Sequence, residues 1–186
     1  MIRSWSFLLG ILLLTTGCKD FLTNSSNHNP PTADQYNKGQ VVVTYVDNAS
    51  FNQALFPVDS LNTSVLDMGG FVFIAPNQAN KINEIYQELR GKTYLNLNNS
   101  SNAVEAQNTD VYIRPHFHDF TDPARSDWRS FLGKWSATDL PNQINGSVKI
   151  ALISVPDGEE KLYVDKFKQF RMVQNAELNW IVRSTN

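Results

Sequence analysis

Short runs of β-branched and aromatic residues, each closed by turn residues, recur from Val41 to the C-terminus and leave little room for long helices. The clearest are VVVTYV from Val41 to Val46, ended by Asp47-Asn48, and VLDMGGFVFIA from Val65 to Ala75, interrupted at Gly69-Gly70 and ended by Pro76. VYIRPHFHDF (Val111 to Phe120) and SVKIALISV (Ser147 to Val155, ended by Pro156-Asp157-Gly158) follow. Runs of this kind are strands bounded by turn chemistry. Tyr94 to Leu97 suggests a further short strand, and the text from Lys161 onward suggests two more, joined near Gln174-Asn175, although Phe167, Phe170 and Arg171 also suit a helix. About seven such segments at short intervals predict a mainly β fold, a β-sandwich with short helical inserts.

Two inserts are expected. Phe51, Ala54 and Leu55 have helical spacing and predict a short helix that stops before Pro57. Between Asn77 and Gly91, Ile82, Ile85, Tyr86 and Leu89 fall at i, i+3, i+4 and i+7, with an Asn to cap and Gly91 to terminate; this is the strongest helical pattern. Asn98 to Asp110 is polar and reads as a loop, and TDPARSDWRSFLGKW as a turn leading into an aromatic, basic segment. In VYIRPHFHDF, Val111, Ile113 and Phe117 share one face of a strand, and Tyr112, Arg114, His116 and His118 the other, with Pro115 marking an edge or bulge.

The N-terminus constrains location. Arg3 precedes an apolar run from Phe7 to Leu14, and Thr15, Thr16 and Gly17 lead into Cys18, the one cysteine in 186 residues. This is an export signal, too short to span a bilayer, which needs about 20 apolar residues. The Gly17-Cys18 junction resembles the bacterial lipobox, in which the cysteine is acylated and becomes the new N-terminus. Three acyl chains, as the resemblance implies, hold a protein firmly where one does not. Residues 1–17 are then the lipoprotein signal peptide. Lys19, in place of the Asp that retains enterobacterial lipoproteins at the inner membrane, favours the outer membrane. Residues 18–40, rich in Asn and carrying Pro30-Pro31, read as a lipidated tether that stands the domain off by about 25 Å if it is a flexible coil. The folded domain is expected over 41–186.

Composition narrows the function. Sixteen Lys and Arg stand against eighteen Asp and Glu, a net charge of −2, with no basic stripe. Nucleic acid is therefore not expected as a partner. One cysteine excludes a disulfide framework and a Cys-rich zinc site. His116 and His118 have a spacing that metal sites use, but the third histidine, His28, lies in the tether, so a solvated pair and no bound metal are expected. Asp119, Asp122 and Asp127 cluster beside Arg125 and Arg129, where salt-bridged, solvated acids are the ordinary outcome. No nucleophile elbow, metalloprotease helix, phosphate loop or dinucleotide fingerprint occurs. The expectation is a protein without catalytic residues or cofactors.

The order VVVTYV, ASFNQALFPVDSLNTSVLD, FVFIAPNQ, YIRPHFHDFTDPARSDWRSF resembles the TssJ-type outer-membrane lipoproteins of the bacterial type VI secretion system. Val41 to Tyr45, Phe51, Ala54, Phe56, Leu61, Leu66, Pro76, Phe117, Asp119, Ala124, Trp128 and Arg129 occupy places corresponding to the family's pattern, over about residues 40–132. The resemblance implies a transthyretin-like sandwich that ties the periplasmic region of the inner-membrane protein TssM to the outer membrane. Phe117, Asp119, Trp128 and Arg129 would be structural, with Trp128 returning as a lid over the layer that holds Phe117. The family's first strand and partner-contacting loop have no counterpart here, and the nearest replacement is Asn27 to Lys38, with Asn27, Asn29, Pro30 and Lys38 as partner contacts. The helix near 77–91 and a C-terminal extension over 159–186 are additions to the family's pattern. Two alternatives stay open: a surface-exposed glycan-binding lipoprotein using Trp135, Trp180 and tyrosines, or an assembly factor or pilotin of another envelope machine.

Overall fold

A computed structural model describes residues 36–97, 103–141 and 148–181. Cys18, Asn27, Asn29 and Pro30 lie outside them. The described chain runs β1 (Tyr36–Tyr45), α1 (Phe51–Ser60), β2 (Ser64–Gly69), β3 (Phe73–Ala75), α2 (Ile82–Arg90), β4 (Val104–Gln107), β5 (Asp110–Ile113), β6 (Phe117–His118), α3 (Asp122–Trp135), β7 (Thr138–Asp139), β8 (Ile150–Ser154), α4 (Glu160–Phe167) and β9 (Val173–Trp180). Two antiparallel sheets pack as a sandwich, one of five strands ordered β6-β2-β8-β1-β9 and one of four ordered β4-β5-β3-β7. Helices and strands hold similar numbers of described residues, so the fold is mixed α/β rather than mainly β.

The β1 run forms the expected strand. Val41, Val43 and Tyr45 are buried, while Val42 and Thr44 are half-buried, which is the period of two that a sheet with one covered face imposes. Val41 and Val43 pair with Ile153 and Ala151 of β8 on one side and with Leu178 and Ala176 of β9 on the other. Strand β1 starts at Tyr36, five residues before the expected domain boundary. Its register against β9 shifts between Tyr36 and Val41, where Gly39 takes φ +69°. The buried Glu160 carboxylate accepts the Gly39 N–H at 2.6 Å and the Gly158 N–H at 3.0 Å. Burial alone would push that carboxyl's pKa up, but these backbone donors reverse the direction and hold it below its ordinary value.

Several expectations need correction. Helix α1 runs through Pro57 instead of stopping before it. Ser50 and Gln53 form a reciprocal capping box, and burial of Phe51, Ala54, Leu55 and Val58 offsets the one backbone bond that proline removes. No Asn caps α2: its N-cap is Lys81, and Asn77 instead adopts φ +58° with its N–H donated to the Asp110 carboxylate at 2.9 Å. Ile85 and Leu89 of α2 are buried as expected, and Tyr86 is exposed. Tyr94 to Leu97 contributes a lone bridge, Leu95 to Phe117, rather than a strand. The polar segment before Asp110 contains β4, which pairs with β5 as a hairpin whose turn residue Asn108 has φ +56°.

The run Val111 to Phe120 is not one strand. Chain after β5 crosses at Arg114-Pro115-His116 from the four-stranded to the five-stranded sheet, where β6 pairs with β2. Val111, Ile113 and Phe117 are all buried, but they come from two sheets. The segment read as a turn before aromatic residues is α3, the longest described helix; Ala124, Trp128, Phe131 and Trp135 recur at i, i+4, i+7 and i+11 and are buried. Of the two C-terminal strands, the first is α4, the helix that Phe167 also suited, packed on β1 and β9; the second is β9, which runs straight through Gln174-Asn175 where a join was expected.

An aromatic cluster joins these parts. Phe51 of α1 lies 5.0 Å from Phe117, 5.2 Å from Phe71, 5.3 Å from Phe73 and 5.8 Å from Phe120, centroid to centroid. Trp128 stacks on Phe131 at 5.0 Å and meets Phe73 and Phe117 edge-on at 5.1 Å each. Trp128→Ala should destabilise the domain by about 3–5 kcal/mol in denaturant unfolding, with an unchanged m-value. Gly70, at φ +85°, has the Val148 carbonyl 2.2 Å from where a Cβ would stand. Gly70→Ala should therefore destabilise the domain by more than the roughly 1 kcal/mol that a stiffer unfolded chain would return, read as a lowered unfolding midpoint.

Candidate functional site

An open cavity of about 830 Å³ lies between the end of α2, the chain after β6 and the start of α3. Its lining includes Glu88, Lys92, Tyr94, His118, Asp119, Thr121 and Asp127. Tyr94 and Lys92 follow the α2 terminus at Gly91, and Asp127 comes from α3, so the site joins segments more than thirty positions apart. The Lys92 ammonium lies 2.6 Å from Asp127 Oδ2, and the Tyr94 hydroxyl donates to the same oxygen at 2.5 Å. At the cleft rim the Glu88 carboxylate accepts from Lys134 Nζ at 2.7 Å and from Trp135 Nε1 at 3.0 Å.

These contacts pull the titrating groups away from neutrality. The Lys92 ammonium first, then the Tyr94 hydroxyl, hold the Asp127 carboxyl below the ordinary carboxylate range. Burial, reinforced by the neighbouring Asp127 carboxylate, pushes the Tyr94 phenol well above its ordinary value. A base or nucleophile poised for work near pH 7 needs shifts in the opposite sense. The cluster is a closed ion and hydrogen-bond triad that ties α3 to the α2 terminus.

A second set of charges is turned inward. Lys149, buried, donates its ammonium protons to the carbonyls of Asp47, Ala49 and Pro141, the last two at 2.7 and 2.6 Å. Asp139 accepts the Phe51 N–H at the start of α1 through Oδ2, while its buried Oδ1 has no partner among the described residues. Burial pushes the Lys149 pKa down, opposed by Asp139 and Asp47, and pushes the Asp139 pKa up, opposed by the Phe51 N–H and Lys149. This pair pins the β1–α1 connection to the chain before β8.

The residues singled out from sequence fall in different places. Phe117 and Trp128 are core neighbours, and Asp119 is exposed in a left-handed turn at φ +46°. Arg129 is exposed on α3 and lines a smaller groove against α1. Lys38 is exposed on β1. His116 lies 2.8 Å from Asp67 through Nε2, whereas His118 lines the open cleft 4.0 Å from Asp119, so the two rings have different neighbours. Among the described residues, no group of three or more His, Cys, Asp or Glu is arranged to hold a metal ion. The acids near α3 separate as well: Asp127 goes to Lys92, while Arg125, itself buried, goes to Asp59 of α1 and the Phe120 carbonyl. Sequence reasoning missed Lys92, Tyr94, Glu160 and Lys149, because their partners lie far along the chain and no local motif marks them.

No family model, curated protein or solved structure matches the chain.

Because the Asp127 pKa is depressed in the fold, its ion pair stabilises above the unfolded carboxyl value near 4 and that contribution is lost as pH falls through the folded value. Asp127→Asn should cost about 0.2–1 kcal/mol at pH 7, as an exposed pair does, and should flatten the loss of stability between pH 5 and the acid limit. Urea titrations at several pH values check both.

Proposed function

We propose that this chain is a lipid-anchored adaptor of the bacterial outer membrane that fastens an envelope-spanning machine, most closely a type VI secretion membrane complex, through a TssM-like inner-membrane protein. The observation that carries the reading is the Gly17-Cys18 junction behind the apolar run Phe7 to Leu14, with a folded sandwich beginning at Tyr36. A short stretch between an acylated cysteine and a compact domain suits a protein whose work is to hold something near a membrane.

The fold is compatible with this. Phe117, Asp119, Ala124, Trp128 and Arg129, the residues that carry the resemblance, form one strand–turn–helix unit, with Phe117 against Trp128. A transthyretin-like arrangement is the finer form we assign to the two-sheet sandwich. The cleft's triad, with Asp127 pulled down and Tyr94 pushed up, favours a scaffold over a catalyst. The glycan-binding alternative is weakened, since Trp135 is buried at 5% exposure and Trp180 alone of its proposed tryptophans is accessible.

Cys18→Ser should leave an unprocessed or soluble product; retention in the outer membrane through high-salt washing would refute the anchor. Pull-down from native membranes should recover a large inner-membrane protein, at a dissociation constant near micromolar, or about −8 kcal/mol. Recovery of a TonB-dependent transporter or a polysaccharide alone would replace the adaptor with the surface binder. Because Tyr36–Lys38 belong to β1, the partner-loop deletion that leaves the strand intact covers 27–35, and it should weaken capture without lowering the melting temperature.

A further inference from the structure

The chain reaches the domain at Tyr36, where an aromatic pair lies at the surface. Tyr36 pairs in register with Trp180 at the end of β9, and their rings meet edge-on at 5.9 Å. Trp180 is 38% exposed and the following Ile181 is 47% exposed. An indole, a phenol and a branched aliphatic side chain are thus gathered at one corner of the five-stranded sheet, beside the exposed Lys38. The corner is held rigid, since Glu160 fixes the Gly39 bulge and α4 packs on both β1 and β9.

We infer that this corner rests on the bilayer to which the chain is tied, seating the Tyr36–Trp180 pair and Ile181 at the lipid headgroup level. The inference rests on the anchor reading of Cys18. Tyr and Trp favour that depth because their apolar rings and polar N–H or O–H edges match the two sides of the interface. Residues 19–35 span at most about 60 Å when fully extended, so the anchor permits contact without enforcing it. A patch this small would not hold a free protein on a membrane. Tethering makes the encounter intramolecular, at an effective concentration that reaches the millimolar range for short linkers, so a weak contact suffices. Exposed charges of both signs flank the corner, Lys38 on β1 and Asp157, Glu159 and Lys161 beside the Glu160 that holds Gly39, so the contact is aromatic rather than ionic and is insensitive to salt. Seated in this way, β1 runs away from the membrane and presents its far end, with the 47–50 connection, to the periplasm.

The mature chain permits a direct test, because Trp128 and Trp135 are buried and Trp180 alone of its tryptophans is accessible. Full-length acylated protein is reconstituted into phosphatidylethanolamine–phosphatidylglycerol vesicles, with bromine at a shallow or a deep acyl position. Shallow bromines should quench the emission more than deep ones, with or without high salt, and Trp180→Phe should abolish the difference. Acrylamide quenching of Trp180 should fall on adding vesicles. Co-flotation with vesicles while Trp180 stays unquenched by lipid and fully open to acrylamide would overturn the inference and leave the anchor standing. Failure to co-float would remove both. Shielding of Trp180 that needs only a higher protein concentration and no vesicles would assign the corner to a second copy of the chain instead.

Discussion

The domain depends on one contact set, the packing of Phe51 among Phe71, Phe73, Phe117 and Phe120. Phe73 belongs to the four-stranded sheet, Phe117 to the five-stranded sheet, and Phe51 to α1, which precedes both in sequence. Aromatic rings at these separations and tilts bury large apolar areas and add edge-to-face attraction. Trp128 extends the cluster to α3, which explains how a helix with only modest apolar content is held. Phe51 and Trp128 each touch Phe73 of one sheet and Phe117 of the other, so together they set the separation of the sheets.

Around that core, buried charge does what surface salt bridges do elsewhere. Only 18% of the chain is charged, and the few ions that are buried each fasten connections to strands or helices. Lys149 gathers three carbonyls, Glu160 holds two glycine N–H groups, and Arg125 bridges Asp59 of α1 to the Phe120 carbonyl, two residues before α3. A buried ion removed from such partners leaves unpaired polar groups behind, which costs more than the pair contributes. These residues therefore fix the geometry of the loops rather than add to net stability. Their pH dependence has opposite signs. The depressed Glu160 favours folding above the ordinary carboxyl range and loses that contribution in acid, whereas the raised Asp139 contributes in acid and loses its contribution as pH rises through its folded value.

The functional reading follows from the same economy. In the open cleft Lys92 and Asp127 pair with each other, and the inward charges are spent on backbone groups, so the described domain is held as a rigid body. On the proposed reading, a rigid body at the end of an acylated stretch would transmit position, and its corner at Tyr36 and Trp180 would give that position an orientation relative to the lipid.

Periodicity and turn chemistry made β1, β8, the Gly69-Gly70 interruption and the buried face of α2 legible in the sequence, because those elements bury residues at the intervals their own geometry demands. The helical spacing of Ala124, Trp128, Phe131 and Trp135 was also present, but the turn signals at Asp122-Pro123 hid it, although proline within the first turn of a helix is well tolerated. What only the tertiary structure decided were the pairings of residues far apart in the chain. Pro115 marks a crossing between sheets because β6 finds its partner in β2, nearly fifty positions upstream, and Tyr36–Gln40 joins the fold because Glu160, 121 positions beyond Gly39, supplies the acceptor its bulge requires. Local pattern records which face a residue buries; the partner that covers it is set by packing of the whole chain.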